Sequence, residues 1–339
     1  MKKLFLAAGA ALALLASCSK HTDEIADSTI GSVVKIAFVD ETPQTRAFFG
    51  TTAAAESWEK QIGSLTLFVF DQNRTAVLQR NFSASEIAAK TATIPIPDAT
   101  PGQTYSFYVL ANNSNLGTVA DLDDLLALSE SEAASYNGTF DEVSTKAKRT
   151  QGFTMTGSAT QAIAQAGQVT TVNISLKRLV AKIAIQAATD SKFASLYPGR
   201  VKITSAEVSS AAVSRYYFYE QQKQAAAQTF THTQTAKDLS GKYGNLFYVY
   251  GNESNSAPQT LKFNLEGIYD KDGDFGTTND QMAVNYEIEL RGDQGITINQ
   301  NTYRRITVNI TGLTGADASI TITPADWEGP FSQDVNIGM

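Results

Sequence analysis

The chain has 339 residues, of which 42% are hydrophobic and 18% charged, and its net charge is −7. That composition suits a folded globular protein and is neither collagen-like nor disordered. The acidic balance, with no basic cluster denser than "KAKR" at 146–149, argues against a nucleic-acid partner, because neutralising phosphates needs a basic footprint.

Lys2 and Lys3 precede an apolar run over residues 4–16. The run is too short for a membrane span of about 20 residues but has the length of a signal-peptide hydrophobic region. It ends in Leu15, Ala16, Ser17 and Cys18, the spacing at which a bacterial lipoprotein signal is cut ahead of a lipid-bearing cysteine. Residues 1–17 are therefore expected to be a signal peptide, and Cys18 a lipidation site on an exported chain. Cys18 is the sole cysteine, so disulfides within the chain are impossible and the body holds no thiol nucleophile or thiolate metal site.

In "SVVKIAFVD" (32–40), Val34, Ile36 and Phe38 fall on one face of a strand. "TPQTRAFFG" (42–50) then places Arg46 in a polar, proline-started stretch, extended and accessible to a protease. Downstream, short β-branched and aromatic runs alternate with Gly, Asn, Asp, Pro and Ser. "SLTLFVFD" (64–71), "QTYSFYVLAN" (103–112), "GQVTTVNISL" (167–176), "LVAKIAIQ" (179–186), "LFYVYGN" (246–252), "AVNYEIEL" (283–290) and "YRRITVNI" (303–310) read as strands. One helix is expected, over 119–136, from Leu122, Leu125, Leu126 and Leu128 and an Asp-rich first turn.

Two phrases recur in the same order. "FYVLANNSN" (107–115) matches "FYVYGNESN" (247–255) at six of nine positions, and "TVNIS" (171–175) matches "TVNIT" (307–311), at offsets of 140 and 136 residues. Corresponding strands at nearly equal spacing indicate two related domains. Many short, antiparallel-looking strands in each half indicate a β-sandwich in each. The division is expected near 175–180, where "TVNISLKRLVAKIAI" runs on without Gly or Pro, as in a stiff, short junction.

The body is poor in catalytic chemistry. Beyond residue 46 the one histidine is His232, whose parity with Phe230 in "TFTHTQT" suits a partly buried strand residue. A histidine-centred triad or multi-histidine metal site cannot be assembled. Paired carboxylates for glycoside hydrolysis stay open on paper, since the sequence does not report their separation. Asp270, Asp272 and Asp274 alternate as calcium ligands would, but Gly273 comes too early for an EF-hand and Gln281 stands where a bidentate glutamate is needed, so a hairpin loop is expected. Arg291, Gly292 and Asp293 are read first as a turn, with an adhesive tripeptide as the alternative. Trp58 and Trp327 are read as packing anchors.

Taken together, the lipobox at Cys18, "SLTLFVFD", "FYVLAN", "FTMTGSA" (153–159), "LKRLVAKIAI" (176–185), "FYVYGN", "YRRITVNITGL" (303–313) and "ADWEGPFSQDV" (325–335) resemble the fimbrillins, the subunits of type V pili of Gram-negative anaerobes. The similarity runs over nearly the whole chain. It implies an outer-membrane lipoprotein precursor, trimmed at the surface by an arginine-specific protease and then polymerised by strand exchange with other pilin subunits into a surface fimbrium. The matching cut lies between Arg46 and Ala47 and removes the strand of Val34, Ile36 and Phe38. In 332–339, Val335, Ile337 and Met339 alternate with polar or small residues, as a donor strand for β-strand addition requires.

The expected fold is all-β, with two related β-sandwich (transthyretin-like) domains in tandem and one short helix in the first. The expected organisation is signal peptide 1–17, propeptide 18–46, N-terminal domain 47–176 and C-terminal domain 177–339, the last ending in a donor strand over about 318–339. The expected function is a structural pilin without enzymatic activity, catalytic residues, metal or cofactor. The alternative is a surface lipoprotein that stays anchored through Cys18 and binds glycans or host protein. "KAKRT" (146–150) is the exposed-looking competitor of Arg46 for the protease.

Overall fold

The β-branched and aromatic runs form strands, and the architecture is predominantly β. The computed structural model of the chain describes residues 32–37, 49, 55–89, 91–96, 98–113, 115–145, 147–165, 168, 170–172, 174–218, 229–256, 258–290, 297–314, 318–326 and 335–336, all within one compact unit over 31–339.

The strands of the first half are β1 (Ser32–Ala37), β2 (Leu65–Phe70), β3 (Ala76–Asn81), β4 (Thr91–Ile96), β5 (Thr104–Ala111), β6 (Ser129–Glu130), β7 (Met155–Ala162) and β8 (Lys177–Arg178). Five of them make an antiparallel sheet in the order β3-β2-β5-β7-β8. All six residues of β2 are buried, so both faces of this strand are covered and its sequence runs apolar without alternation. Its turn into β3 is built by Asp71, whose carboxylate accepts from the backbone N–H groups of Asn73 (2.9 Å) and Thr75 (2.8 Å), with Arg74 left-handed at φ 67°.

The second half contains β9 (Val180–Thr189), β10 (Arg200–Ala212), β11 (Arg215–Tyr216), β12 (Thr229–Thr235), β13 (Lys237–Asp238), β14 (Tyr243–Tyr250), β15 (Lys262–Asp270), β16 (Gln281–Glu289), β17 (Thr302–Ile310) and β18 (Ala318–Asp326), followed by β19 (Val335–Asn336). A five-stranded sheet, β13-β14-β9-β17-β18, faces a four-stranded sheet, β12-β10-β15-β16. Ile183, Ile185, Phe247, Ile306 and Val308 from the first share one core with Ile203, Val208, Phe263, Leu265 and Tyr286 from the second. That is a β-sandwich. The β9–β17 pair is parallel, unlike the antiparallel-looking pattern read from the sequence.

β14 is buried along its whole length, whereas β16 alternates. The reason is that β14 serves two cores. Phe247 and Val249 face the sandwich interior, while Leu246, Tyr248 and Tyr250 enter the core of the first half beside Phe107, Tyr136 and Phe153. The junction between the halves is thus a packed sheet face.

Three sequence expectations need correction. The helix expected over 119–136 is divided into α2 (Leu122–Ala127) and α3 (Ala133–Tyr136), with β6 between them. α2 opens on the Asp-rich turn that the sequence showed, with Asp121 as its N-cap accepting from the Asp124 N–H (2.8 Å) and Leu122, Leu125 and Leu126 buried. It stops because Ser129 and Glu130 pair with Tyr216 and Arg215 of β11, and tertiary pairing overrides local helix propensity. The first half also carries α1 (Ala84–Ala89) and α4 (Phe140–Val143), so it holds more than one short helix, and α5 (Ser191–Leu196) lies in the second half. Finally, described residues in 167–176 are in no strand, although Val172, Ile174 and Leu176 alternate into the core. Of the two repeated phrases, only the first therefore falls on strands in both halves.

That first repeat has a structural counterpart. β5 and β14 each pair antiparallel with an earlier buried strand of their half, β2 and β9. Each is followed by a buried asparagine that ties down a distant loop. Asn112 accepts from the Gly63 N–H and donates to the carbonyls of Gln61 and Phe153, each at 2.7 Å. Asn252 accepts from the Ile298 N–H, also at 2.7 Å.

Candidate functional site

The strand expected to be removed, β1, is the middle of a three-stranded sheet, β19-β1-β4. It pairs antiparallel with β4 over six residues, from Ser32 opposite Ile96 to Ala37 opposite Thr91, with Val34 opposite Ile94 and Ile36 opposite Ala92. β4 turns Ala92, Ile94 and Ile96 into the first-half core and leaves Pro95 exposed. A proline lacks the N–H needed for a ladder and suits a strand with only one neighbour; among the described residues β4 pairs with β1 alone.

On its other edge β1 meets the C-terminal strand, Lys35 opposite Asn336 and Ile36 opposite Val335, again antiparallel. The structure therefore brings together one residue of the displaced strand and one of the donor strand, a juxtaposition that the sequence did not disclose. β18, the first part of the segment 318–339 assigned to the donor, is the edge strand of the second half's own sheet, paired with β17 over nine residues. Cys18, Phe38, Arg46, Ala47, Ile337 and Met339 lie outside the described residues, as do Trp327 and Arg291, Gly292 and Asp293.

Just beyond the expected cut, Phe49 is seated between the first half's α4 and the second half's β14 and β17. Its ring stacks on Phe140 at 6.2 Å, and its carbonyl accepts from Arg305 Nη1 at 3.3 Å. Gly244 in β14 leaves room for it: a Cβ there would lie 2.7 Å from Phe49 Cζ. Ten residues on, the 3₁₀ turn Ser57–Lys60 inserts Glu59 into the junction. Tyr248 donates to its carboxylate at 2.5 Å, Lys182 reaches it at 3.0 Å, and Arg178 Nε donates to the Glu59 carbonyl at 2.8 Å. Burial pushes the Lys182 ammonium below its usual range against the pull of Glu59, and pushes the Tyr248 hydroxyl well up, with Glu59 adding to the rise. Trp58 packs on Phe153 and Tyr248, a packing anchor as expected.

A second buried carboxylate, Glu130, is the reason β6 turns inward. It accepts from Tyr250 Oη (2.7 Å), from Thr154 Oγ1 (2.7 Å) and from Tyr136. Burial, then the Glu130 charge, pushes Tyr217 up to about 12. Against Tyr136 lies Arg149, its guanidinium carbon 4.0 Å from the ring centroid. Arg149 Nε donates to the Gly152 carbonyl (2.6 Å), Nη1 to Ser135 Oγ (2.9 Å) and Nη2 to Thr154 Oγ1 (3.1 Å). The reading of "KAKRT" as an exposed loop is thus corrected at its arginine, which is held and 14% exposed.

His232 is half-buried in β12, stacked on Phe230 and 3.1 Å from the Gly138 carbonyl, as its parity implied. In the 270–280 loop, ligand atoms of Asp270, Asp272 and Asp280 lie within 4.8 Å of one another, with Asp280 rather than Asp274 completing the group. Within the loop, Gln281 donates to Asp270 (2.9 Å), Gly273 N–H to Asp270 (2.7 Å) and Asp272 N–H to Asp280 (3.1 Å). A polar cleft of about 340 Å³ is lined by Gln61, Gly63, Ser64, Asn112, Thr150 and Gln151; this lining offers no aromatic face on which a sugar ring could stack.

The second half is a β-sandwich, and in the first half the N-terminal strand β1 covers the edge of β4. Residues 32–178 match the family described as the major fimbrial subunit protein (FimA), so that stretch of the chain is similar to fimbrillins, as its motifs implied, and the family is one of structural subunits rather than enzymes. Among solved structures, the chain is similar to a fimbrilin (FimA) from Porphyromonas gingivalis W83, with 15% identity, 88% of this chain and 98% of that one covered, and a TM-score of 0.56. It is also similar to the tip fimbrial protein Mfa3 from Porphyromonas gingivalis, with 14% identity, coverages of 87% and 98%, and a TM-score of 0.53. At these identities the likeness establishes a shared fold. No curated protein matches the chain. The family match supports a pilin or adhesin role at the cell surface, and among the described residues no helix is long and apolar enough to cross a membrane.

Proposed function

We propose that this chain is a pilin precursor. It is exported as a lipoprotein through Cys18, reaches the outer membrane, is cut between Arg46 and Ala47 by an arginine-specific surface protease, and polymerises with other subunits by β-strand exchange. Two sandwich domains, 47–176 and 177–339, form the mature subunit, and the strand carrying Val335, Ile337 and Met339 is the donor.

The observation that carries this reading is the position of β1. It lies upstream of Arg46 yet pairs with β4 along six residues, over the buried Ala92, Ile94 and Ile96. Losing it would leave β4 with an unpaired row of backbone groups, a ready template for a strand of another chain. The packed junction around Glu59, together with Phe49 seated just after the cut, would keep the rest of the subunit folded when β1 departs.

The test is N-terminal sequencing of protein sheared from the cell surface, together with Arg46→Ala and Cys18→Ala variants. Mature protein should begin at Ala47. Arg46→Ala should leave a folded monomer that forms no fibres, and Cys18→Ala should leave precursor in the periplasm or inner membrane. Surface protein that keeps Cys18, with fibres of normal length from Arg46→Ala, would replace this reading by that of an anchored adhesin.

A further inference from the structure

β19 is a strand of two residues at the edge of its sheet, and its one ladder partner among the described residues is β1. β1 is in turn the centre of that sheet, bonded to β4 on the opposite side. One segment therefore occupies two edges at once: it covers the edge of β4, and it holds the C-terminal strand. Since β1 is antiparallel to both neighbours, β19 and β4 run parallel to each other and are separated by a full strand, roughly 9–10 Å at the usual interstrand spacing.

From this arrangement we infer that the propeptide strand is a double latch, which restrains the subunit's own C-terminal strand as well as capping β4, so that one cut frees the donor and the acceptor together. The inference rests on the processing reading above and adds to it a control on the donor. A two-residue ladder with a single partner has little to hold it once that partner leaves. Residues 327–339, which follow the end of β18, would span roughly 43–47 Å when extended, enough to cross to a neighbouring subunit. A precursor latched in this way can neither accept nor donate, which guards against premature assembly during export.

The register supplies the test. Directly opposed antiparallel pairs alternate between hydrogen-bonded and the closer non-hydrogen-bonded kind. One of the pairs Lys35/Asn336 and Ile36/Val335 is therefore the close kind, suited to a disulfide. In full-length precursor carrying Cys18→Ala, which removes the sole natural cysteine, Lys35→Cys/Asn336→Cys and Ile36→Cys/Val335→Cys would be compared with Ile36→Cys/Ala92→Cys and its neighbour Lys35→Cys/Thr93→Cys, which lock β1 to β4 instead. At least one β1–β19 pair should close under mild oxidation. After cutting with an arginine-specific endoprotease, labelled locked subunits would be mixed with growing, unlocked ones. Subunits locked between β1 and β4 keep a free C-terminus and should still be taken up at fibre ends. Subunits locked between β1 and β19 should lose uptake until dithiothreitol releases them. Failure of both β1–β19 pairs to close while a β1–β4 pair closes would overturn the latch, and so would equal uptake of the two locked forms. A chain that resists cutting after Arg46 would overturn the processing reading, and the latch's part in assembly with it, whatever the crosslink yields.

Discussion

Lys182 Nζ sits 3.0 Å from the Glu59 carboxylate, both side chains almost wholly removed from solvent, one on β9 and the other on the turn that opens the first half. Deleting one partner of such a pair leaves a buried charge without compensation. Lys182→Met should therefore destabilise the protein by about 3–5 kcal/mol in denaturant unfolding. Adding Glu59→Gln removes the stranded charge and should recover a substantial part of that loss, a coupling that a double-mutant cycle measures. Additive losses would mean that the two groups do not meet at the junction.

Alkaline conditions should act on the same region. Burial, reinforced by the Glu59 or Glu130 charge, raises the hydroxyl pKa of Tyr136, Tyr248 and Tyr250 above the usual value of 10.0. The folded state thus holds protons that the unfolded state gives up, and the stability this contributes is complete below pH 10 and is lost as pH rises above it. Lys182 works the other way. Its lowered pKa means that the unfolded state binds more protons below 10.5, so its contribution grows as pH rises toward that value. Three tyrosines outweigh one lysine, and the thermal midpoint should fall above pH 10. A phenolate absorbance titration should show a fraction of the 13 tyrosines ionising only as the protein unfolds.

Much of this fold was legible in local sequence. The dense apolar runs at β2, β5, β9, β14 and β17 could hardly be anything but strands, and the repeated "FYV" phrase marked β5 and β14 as counterparts. What escaped was set by partners far away in the chain. Glu130 looks like one more acidic residue of a helix until Tyr250, 120 residues on, is found bonded to it. The parallel β9–β17 pairing leaves no trace in either strand alone. At the candidate site, the alternation of Val34 and Ile36 and the apolar Val335 were visible separately, but the opposition of Ile36 and Val335 across one ladder was not. Phe49 carried only a faint signal, an aromatic pair followed by Gly50, because its seat is created by an absent side chain at Gly244.

That seat gives a test of how the chain around Phe49 is held. Gly244→Ala would place a Cβ 2.7 Å from Phe49 Cζ and 2.8 Å from Leu239 Cδ1. Overpacking of this kind costs about 1–3 kcal/mol. In a Phe49→Ala background the ring is gone and only the end of Leu239 must shift, so the same change should cost much less. Equal costs in the two backgrounds, measured by urea unfolding, would show that Phe49 does not rest on Gly244 in solution.

Arg149 bears on why the proposed cut would fall after Arg46 rather than in the "KAKRT" loop. A protease needs several residues of extended, accessible chain around its target, and exposed loop tips are the usual sites of nicking. Arg149 is on such a loop by sequence, yet its guanidinium lies on the Tyr136 ring and is bonded by Gly152, Ser135 and Thr154. An arginine-specific endoprotease should therefore cut the folded precursor after Arg46 well before it cuts after Arg149. Ser135→Ala with Thr154→Val removes two of the side-chain acceptors while leaving the ring in place, and cutting after Arg149 should rise by about tenfold if the lost contacts are worth about 1.4 kcal/mol together. Tyr136→Leu should raise it further by removing the cation–π contact. Mass spectrometry of timed digests distinguishes the two sites, and thermal melts of the same variants show whether they stay folded at the digestion temperature. Cutting after Arg149 in the unaltered protein at the rate seen after Arg46 would show that these contacts do not shield the loop.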